Sequence, residues 1–169
     1  MNNLVRKTIQ HFAHICGYEI SREIPTDFSD QDIQIINSVR PYTMTSAERI
    51  FSLIESVRYV IKNNIPGDFI ETGAWRGGTT IFMRALLKVH GVNDRTVWVA
   101  DSFEGLPVPK GEDDGPDLSQ VDYLKVSLEQ LQSNFKKFDL LDEQVKFLKG
   151  WFCDTLPDAP IDEISILRL

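Results

Sequence analysis

The sequence predicts an α/β fold with a parallel, doubly wound sheet. Three observations carry that expectation. Short apolar runs alternate with amphipathic helical stretches, the βαβ order that places strands in parallel and joins them by right-handed crossovers. The runs are four to six residues long, as buried strands are. And the first of them, Asp68-Phe69-Ile70-Glu71, ends in the turn Thr72-Gly73-Ala74-Trp75-Arg76-Gly77-Gly78 before a helix begins. Glycines between a strand and a helix N-terminus let a ligand approach backbone N–H groups closely.

In chain order, residues 4–16 read as a helix, with Leu4, Val5, Thr8, Ile9, Phe12, Ala13 and Cys16 at helical spacings. Residues 18–28 are irregular around Pro25. Asp27 or Ser29 is placed to cap a helix over Asp30–Val39. Pro41 biases Arg40 away from helix. Thr45 or Ser46 caps the next helix, and Glu48 stands at a capping-box spacing from Thr45. That helix carries Ile50, Leu53, Ile54, Val57, Tyr59, Val60 and Ile61 and stops at Asn63-Asn64-Ile65-Pro66-Gly67. After the glycine turn, Thr79–Val89 reads as a helix that ends at His90-Gly91.

Arg95–Ala100 is a second strand with Asp101 at its C-terminal end. Ser102–Leu118 is a long loop containing Glu112, Asp113, Asp114 and Asp117. Its acids do not follow calcium-loop spacing, so a solvated loop is the plainer reading, with a substrate lid as the alternative. Ser119–Phe138 reads as one helix through Val121, Leu124, Val126, Leu128, Leu131 and Phe135. Gln144–Lys149 and Ile164–Leu169 are the third and fourth strands.

Composition narrows the function classes. The chain has 169 residues, 42% of them hydrophobic, enough for one sizeable core. A net charge of -7 argues against broad nucleic-acid or anionic-membrane binding. No apolar run reaches the length of a membrane span, and the N-terminus lacks a signal-peptide core. Cys16 and Cys153 form neither a disulfide framework nor a metal spacing, as a cytoplasmic protein permits. His11 and His14 share a helix face but lack a third ligand nearby.

The glycine turn fits no phosphate loop. A dinucleotide fingerprint starting at Gly73 needs glycine where Trp75 stands, and no lysine follows for a Walker loop. The arrangement Glu71-x-Gly73-x-x-x-Gly77-Gly78 instead resembles motif I of class I methyltransferases, whose ligand S-adenosylmethionine carries a cationic sulfonium. An ordinary βα turn is the plain alternative. Asp101 stands where doubly wound folds place a carboxylate for ribose hydroxyls, or it serves as a cap. Trp151 edges an adenine or packs in a core.

Four motifs in order resemble the macrocin O-methyltransferase family. They are Arg40-Pro41-Tyr42-Thr43-Met44-Thr45, then Phe69–Gly78, then Ala100-Asp101-Ser102-Phe103-Glu104-Gly105-Leu106-Pro107, and Gly150-Trp151-Phe152-x-Asp154-Thr155-Leu156-Pro157. The resemblance implies a Rossmann-like class I methyltransferase fold and metal-assisted methyl transfer from S-adenosylmethionine to sugar hydroxyls. By that resemblance Glu71, Thr72, Gly73, Ala74 and Trp75, with Gly77 and Gly78, surround the methionine part. Asp101, with Ser102 and Phe103, meets the ribose. Gly150, Trp151 and Asp154 lie at the adenine end, and Thr43 and Met44 fold over the cofactor. Residues 1–62 would form a helical lid or oligomer contact, and 63–169 the cofactor domain.

The chain departs from the family at Ile166-Leu167-Arg168-Leu169. The family continues into an Arg-Leu-Asp-Gly-Asp type run, whose first Asp binds magnesium and whose second is proposed as the base. The resemblance therefore implies a truncated member lacking its last strands, with no catalytic or metal residue of its own, inactive alone, and with an exposed edge strand open to pairing with a second copy. The expected partner is a small hydroxyl-bearing acceptor. The rivals are a non-catalytic S-adenosylmethionine-binding or interaction module and an NAD-binding oxidoreductase.

Overall fold

In the computed structural model, the described residues are Thr8, His11, Phe12, Ile15, Cys16, 29–111 and 115–169. The helix expected over 4–16 lies mostly outside them, although Thr8, His11, Phe12 and Ile15 are helical and Cys16 N donates to Phe12 O at 3.1 Å. The irregular stretch 18–28, His14 and three of the loop acids, Glu112, Asp113 and Asp114, also lie outside. By its internal contacts the chain divides into Met1–Ile33 and Gln34–Leu169. That division falls ahead of the 62/63 boundary expected from the sequence.

Helix α1 spans Asp30–Val39. Its start is a reciprocal cap: Asp32 N donates to Ser29 Oγ at 3.2 Å, and Ser29 N donates to Asp32 Oδ2 at 3.1 Å. In the second unit, a single 3-10 turn at Arg40–Tyr42 leads to α2, Ala47–Lys62. Ser46 caps α2 and accepts from Arg49 N, so the capping box expected from Thr45 does not form. Thr45 has another partner, described below. The α2 stripe Ile50, Leu53, Ile54, Val57 and Val60 is buried, each side chain contributing about 1.5–3 kcal/mol of transfer free energy, whereas Tyr59, expected in the same stripe, is exposed. Asn64, at φ 50, turns the chain out of the helix.

Strand β1, Asp68–Thr72, is buried at Phe69, Ile70 and Glu71. Helix α3, Gly78–Val89, follows the glycine turn and is buried on most of its surface. It packs on β1, on β2 (Val97–Asp101), on α2 and on the Arg40–Tyr42 turn, which explains its nearly continuous apolar sequence. Helix α4 is Leu128–Lys137, β3 is Val145–Lys149, α5 is the single turn Phe152–Thr155, and β4 is Ile164–Arg168. The four strands form one parallel sheet in the order β3-β2-β1-β4. This is the α/β architecture the βαβ pattern predicts. Asp68 pins β1 to β2: its Oδ1 accepts from Thr96 N and its Oδ2 from Trp98 Nε1, both at 2.7 Å.

One element differs from expectation. Ser119–Phe138 is not a single helix. A 3-10 turn covers Asp122–Leu124, the chain then runs extended, and α4 starts only at Leu128. The reason lies in the sequence period. Leu124, Val126 and Leu128 alternate at two-residue spacing, and Ser127 caps the true helix by accepting from Gln130 N.

Candidate cofactor site

The order β3-β2-β1-β4 reverses direction between β1 and β4, so the C-terminal strand ends beside β1 are where this architecture binds ligands. The segments leaving β1, β2 and β3 meet there.

The turn after β1 is shaped by its backbone. Gly73 and Gly77 have φ of 87° and 84°. Trp75 adopts φ 49° without being glycine, a local cost of about 1 kcal/mol or more offset by fixed contacts. Its indole Nε1 donates to Tyr123 O at 2.7 Å, and the Arg76 guanidinium stacks 4.5 Å from its ring. Asp101 holds the turn from the neighbouring strand. Its Oδ2 accepts from Ala74 N at 2.7 Å and Trp75 N at 3.3 Å, and its Oδ1 accepts from Phe103 N at 2.9 Å. Gly78 starts α3 under the backbone of Tyr42, where an added Cβ would lie 2.6 Å from the Tyr42 carbonyl carbon.

These segments enclose a cavity of about 370 Å³. Of the residues expected to meet the cofactor, Met44, Gly73, Trp75, Asp101, Ser102, Gly150 and Trp151 line it together. Gly105, Leu106, Pro107, Leu124 and Phe152 also line it and were not among the expected site residues. Gly105-Leu106-Pro107 stood inside a recognised motif, so a signal existed. Leu124 was concealed by the helical reading of its segment.

The other expected residues lie around this surface. Asp154 lines an adjoining space of about 1000 Å³ that shares Trp151 and Phe152 with the first. Phe103 is buried beneath, with its ring edge-on to Phe147. Gly77 packs against Leu131, Ala74 is buried, and Thr72 Oγ1 donates to Arg168 O at 3.4 Å. Thr43 Oγ1 lies 3.2 Å from Thr79 Oγ1.

Glu71 is 2% exposed, and its Oε1 accepts from Arg168 Nη1. Its Oε2 is buried without a hydrogen-bond partner. Burial pushes its carboxyl up from 4.5 to about 8, a shift partly opposed by the charge of Arg168 and reinforced by Asp101. Sequence reasoning gave Arg168 no role, because its partners lie far away in the chain.

The family description Macrocin-O-methyltransferase (TylF) matches residues 21–169. This chain belongs to the macrocin O-methyltransferase family. It is 50% identical over 134 residues to demethyldecarbamoylnovobiocin O-methyltransferase of Streptomyces niveus, an alignment covering 76% of this chain and 51% of that protein. It is 44% identical over 187 residues to mycinamicin III 3''-O-methyltransferase of Micromonospora griseorubida, covering 99% of this chain and 70% of that one. Among solved structures, the O-methyltransferase NovP matches with a TM-score of 0.69 and 50% identity, over 75% of this chain and 54% of that one. The chain thus spans about half the length of the first relatives it matches.

For this family member, the cavity suits S-adenosylmethionine. It is walled by backbone at Gly73 and Gly150, by a carboxylate at Asp101 and by aromatic faces at Trp151 and Phe152. Among the described residues, no three His, Cys, Asp or Glu side chains converge to hold a metal ion. Nor, among them, is any helix long and apolar enough to cross a membrane.

Proposed function

We propose that this chain is the cofactor-holding part of an S-adenosylmethionine-dependent O-methyltransferase acting on a sugar hydroxyl of a glycosylated small molecule. The observation that carries the reading is the cavity where the segments after β1, β2 and β3 converge on Asp101. The acceptor class is supported by the names of the relatives, a demethyldecarbamoylnovobiocin O-methyltransferase and a mycinamicin III 3''-O-methyltransferase.

In this reading the Gly73–Trp75 backbone flanks the methionine part. Asp101 receives a ribose hydroxyl. A carboxylate offers about four acceptor positions, and three are taken by Ala74, Trp75 and Phe103 N–H groups. One ribose hydrogen bond fits with the turn intact. Trp151 and Phe152, 37% and 42% exposed, offer faces for the adenine. Met44 lines the same cavity. When bound, the cofactor supplies a methyl group made electrophilic by its sulfonium. The chain's part is to orient that methyl and exclude water from around it. A magnesium ion and a base would come from elsewhere in the whole enzyme. The protein works in the cytoplasm, a placement supported by the free thiols of Cys16 and Cys153.

Calorimetry with S-adenosylhomocysteine tests the reading, with NAD as the control. Saturable binding of the former and none of the latter is expected. NAD binding alone would overturn it, since Trp75 occupies the place a dinucleotide loop gives to glycine.

A further inference from the structure

The segment Tyr42–Ser46 crosses the strand ends, and its two threonines are held from opposite directions. Thr43 Oγ1 meets Thr79 Oγ1 at the first turn of α3 and accepts from Thr45 N at 3.1 Å. Thr45 Oγ1 accepts from Arg168 Nη2, at the end of β4. The other arm of the same guanidinium, Nη1, donates to Glu71 Oε1 in β1. Between the two threonines, Met44 lines the cavity and is 63% exposed. A side chain that exposed has no packing of its own to fix it, so its place depends on the backbone that carries it.

Arg168 is suited to this position by its shape. A planar guanidinium presents two donors at a fixed separation, so one residue reaches a hydroxyl on the crossing segment and a carboxyl on the sheet. A lysine ammonium carries the same charge on a flexible stem and lacks the fork. Glu71 is buried and fixed within the sheet, which makes it a rigid anchor.

We propose that Arg168 is a positioning residue: it latches the Thr43-Met44-Thr45 segment to the ends of β1 and β4, and so sets Met44 over the cavity before a ligand arrives. The role for Met44 rests on the cavity being the cofactor site. The latch itself belongs to the ligand-free chain. Ordering the segment in advance removes an entropic cost from binding, so loosening it weakens binding without removing any ligand contact.

Two variants of the 169-residue chain test this. Thr45→Val deletes only the accepting hydroxyl, and Arg168→Lys keeps a cation beside Glu71. In both, amide hydrogen exchange at residues 43–46 rises about tenfold without ligand, as loss of one charge-assisted hydrogen bond requires. Exchange at Phe69 and Ile70 stays as in the parent, and S-adenosylhomocysteine binds about tenfold more weakly by calorimetry. Unchanged exchange at 43–46 in Thr45→Val overturns the latch. Faster exchange with unchanged affinity overturns its positioning role. A parent chain that binds no S-adenosylhomocysteine overturns the cofactor reading, and the exchange result still decides the latch.

Discussion

Replacing Glu71 with glutamine should flatten the pH dependence of stability. In the folded chain the carboxyl is buried and its pKa is raised from 4.5 to about 8, chiefly by desolvation. In the unfolded chain it ionises at its ordinary value. Between these two values the folded state keeps a proton that the unfolded state has lost. Stability from this group is therefore complete below the unfolded pKa, falls as pH rises through the window, and levels off above the folded pKa. One pKa unit corresponds to 1.36 kcal/mol, so the whole window amounts to about 5 kcal/mol, with about 2–3 kcal/mol falling between roughly pH 6 and pH 9. A glutamine side chain has the same length and an amide oxygen to accept from Arg168, with no proton to lose. The protonated carboxyl likewise accepts through its carbonyl oxygen, so the contact with Arg168 does not require ionisation. Urea denaturation of parent and Glu71→Gln at both pH values gives the comparison. The parent should lose about 2–3 kcal/mol more than the variant on going to the higher pH. Equal losses would refute the argument, because they would mean the carboxylate is already ionised when folded.

Three further substitutions address other contacts. Asp101→Asn places an amide donor or a single acceptor against the three N–H groups of Ala74, Trp75 and Phe103; an unpaired buried donor costs about 1–3 kcal/mol, so thermal stability should fall and S-adenosylhomocysteine affinity should drop at least tenfold by calorimetry. Gly78→Ala forces a methyl to within 2.6 Å of the Tyr42 carbonyl carbon, and the strain should cost about 1–3 kcal/mol in chemical denaturation. Asp142→Ala strands Arg84, whose side chain is 6% exposed and paired through Nε at 3.0 Å and Nη2 at 2.6 Å; a loss of about 1–3 kcal/mol is expected at neutral pH. The Arg84 guanidinium holds the Asp142 carboxyl below its usual value. The stability it gives is present above the unfolded pKa and lost as pH falls through the folded one, so the variant and parent should converge in acid denaturation.

The sheet was legible because its signals are local. Each strand is a short apolar run, and Gly73 and Gly150 stand directly after the strands they end. Asp101 was legible for the same reason, as a carboxylate at a strand end, but its hold on Ala74 and Trp75 was not. That contact crosses from one strand to the next, and no spacing encodes it. Leu124 was misplaced into a helix because apolar residues at Leu124, Val126 and Leu128 fit a broad apolar stripe until their two-residue period is weighed against it. Arg168 was invisible as a site residue: its partners, Thr45 and Glu71, are brought to it only by the pairing of β4 with β1.

The cavity walls differ in how they are fixed, and that difference bears on binding. Several wall segments are tied by polar contacts. Asp101 holds the β1 turn, Gly150 N donates to Asp101 O at 3.0 Å, and Ser102 Oγ donates to Gly105 O at 2.8 Å. Trp75 is fixed to Tyr123, and Thr45 to Arg168. Met44, Leu106, Trp151 and Phe152 also line the cavity, all exposed apolar side chains. The tied groups are suited to the polar parts of a ligand, where geometry has to be set beforehand. The exposed apolar groups gain most from a ligand, because only its arrival removes them from water. Binding should therefore bury apolar area while leaving the Asp101 contacts almost unmoved. A negative heat-capacity change with unaltered amide exchange at Ala74 and Trp75 is the signature to look for.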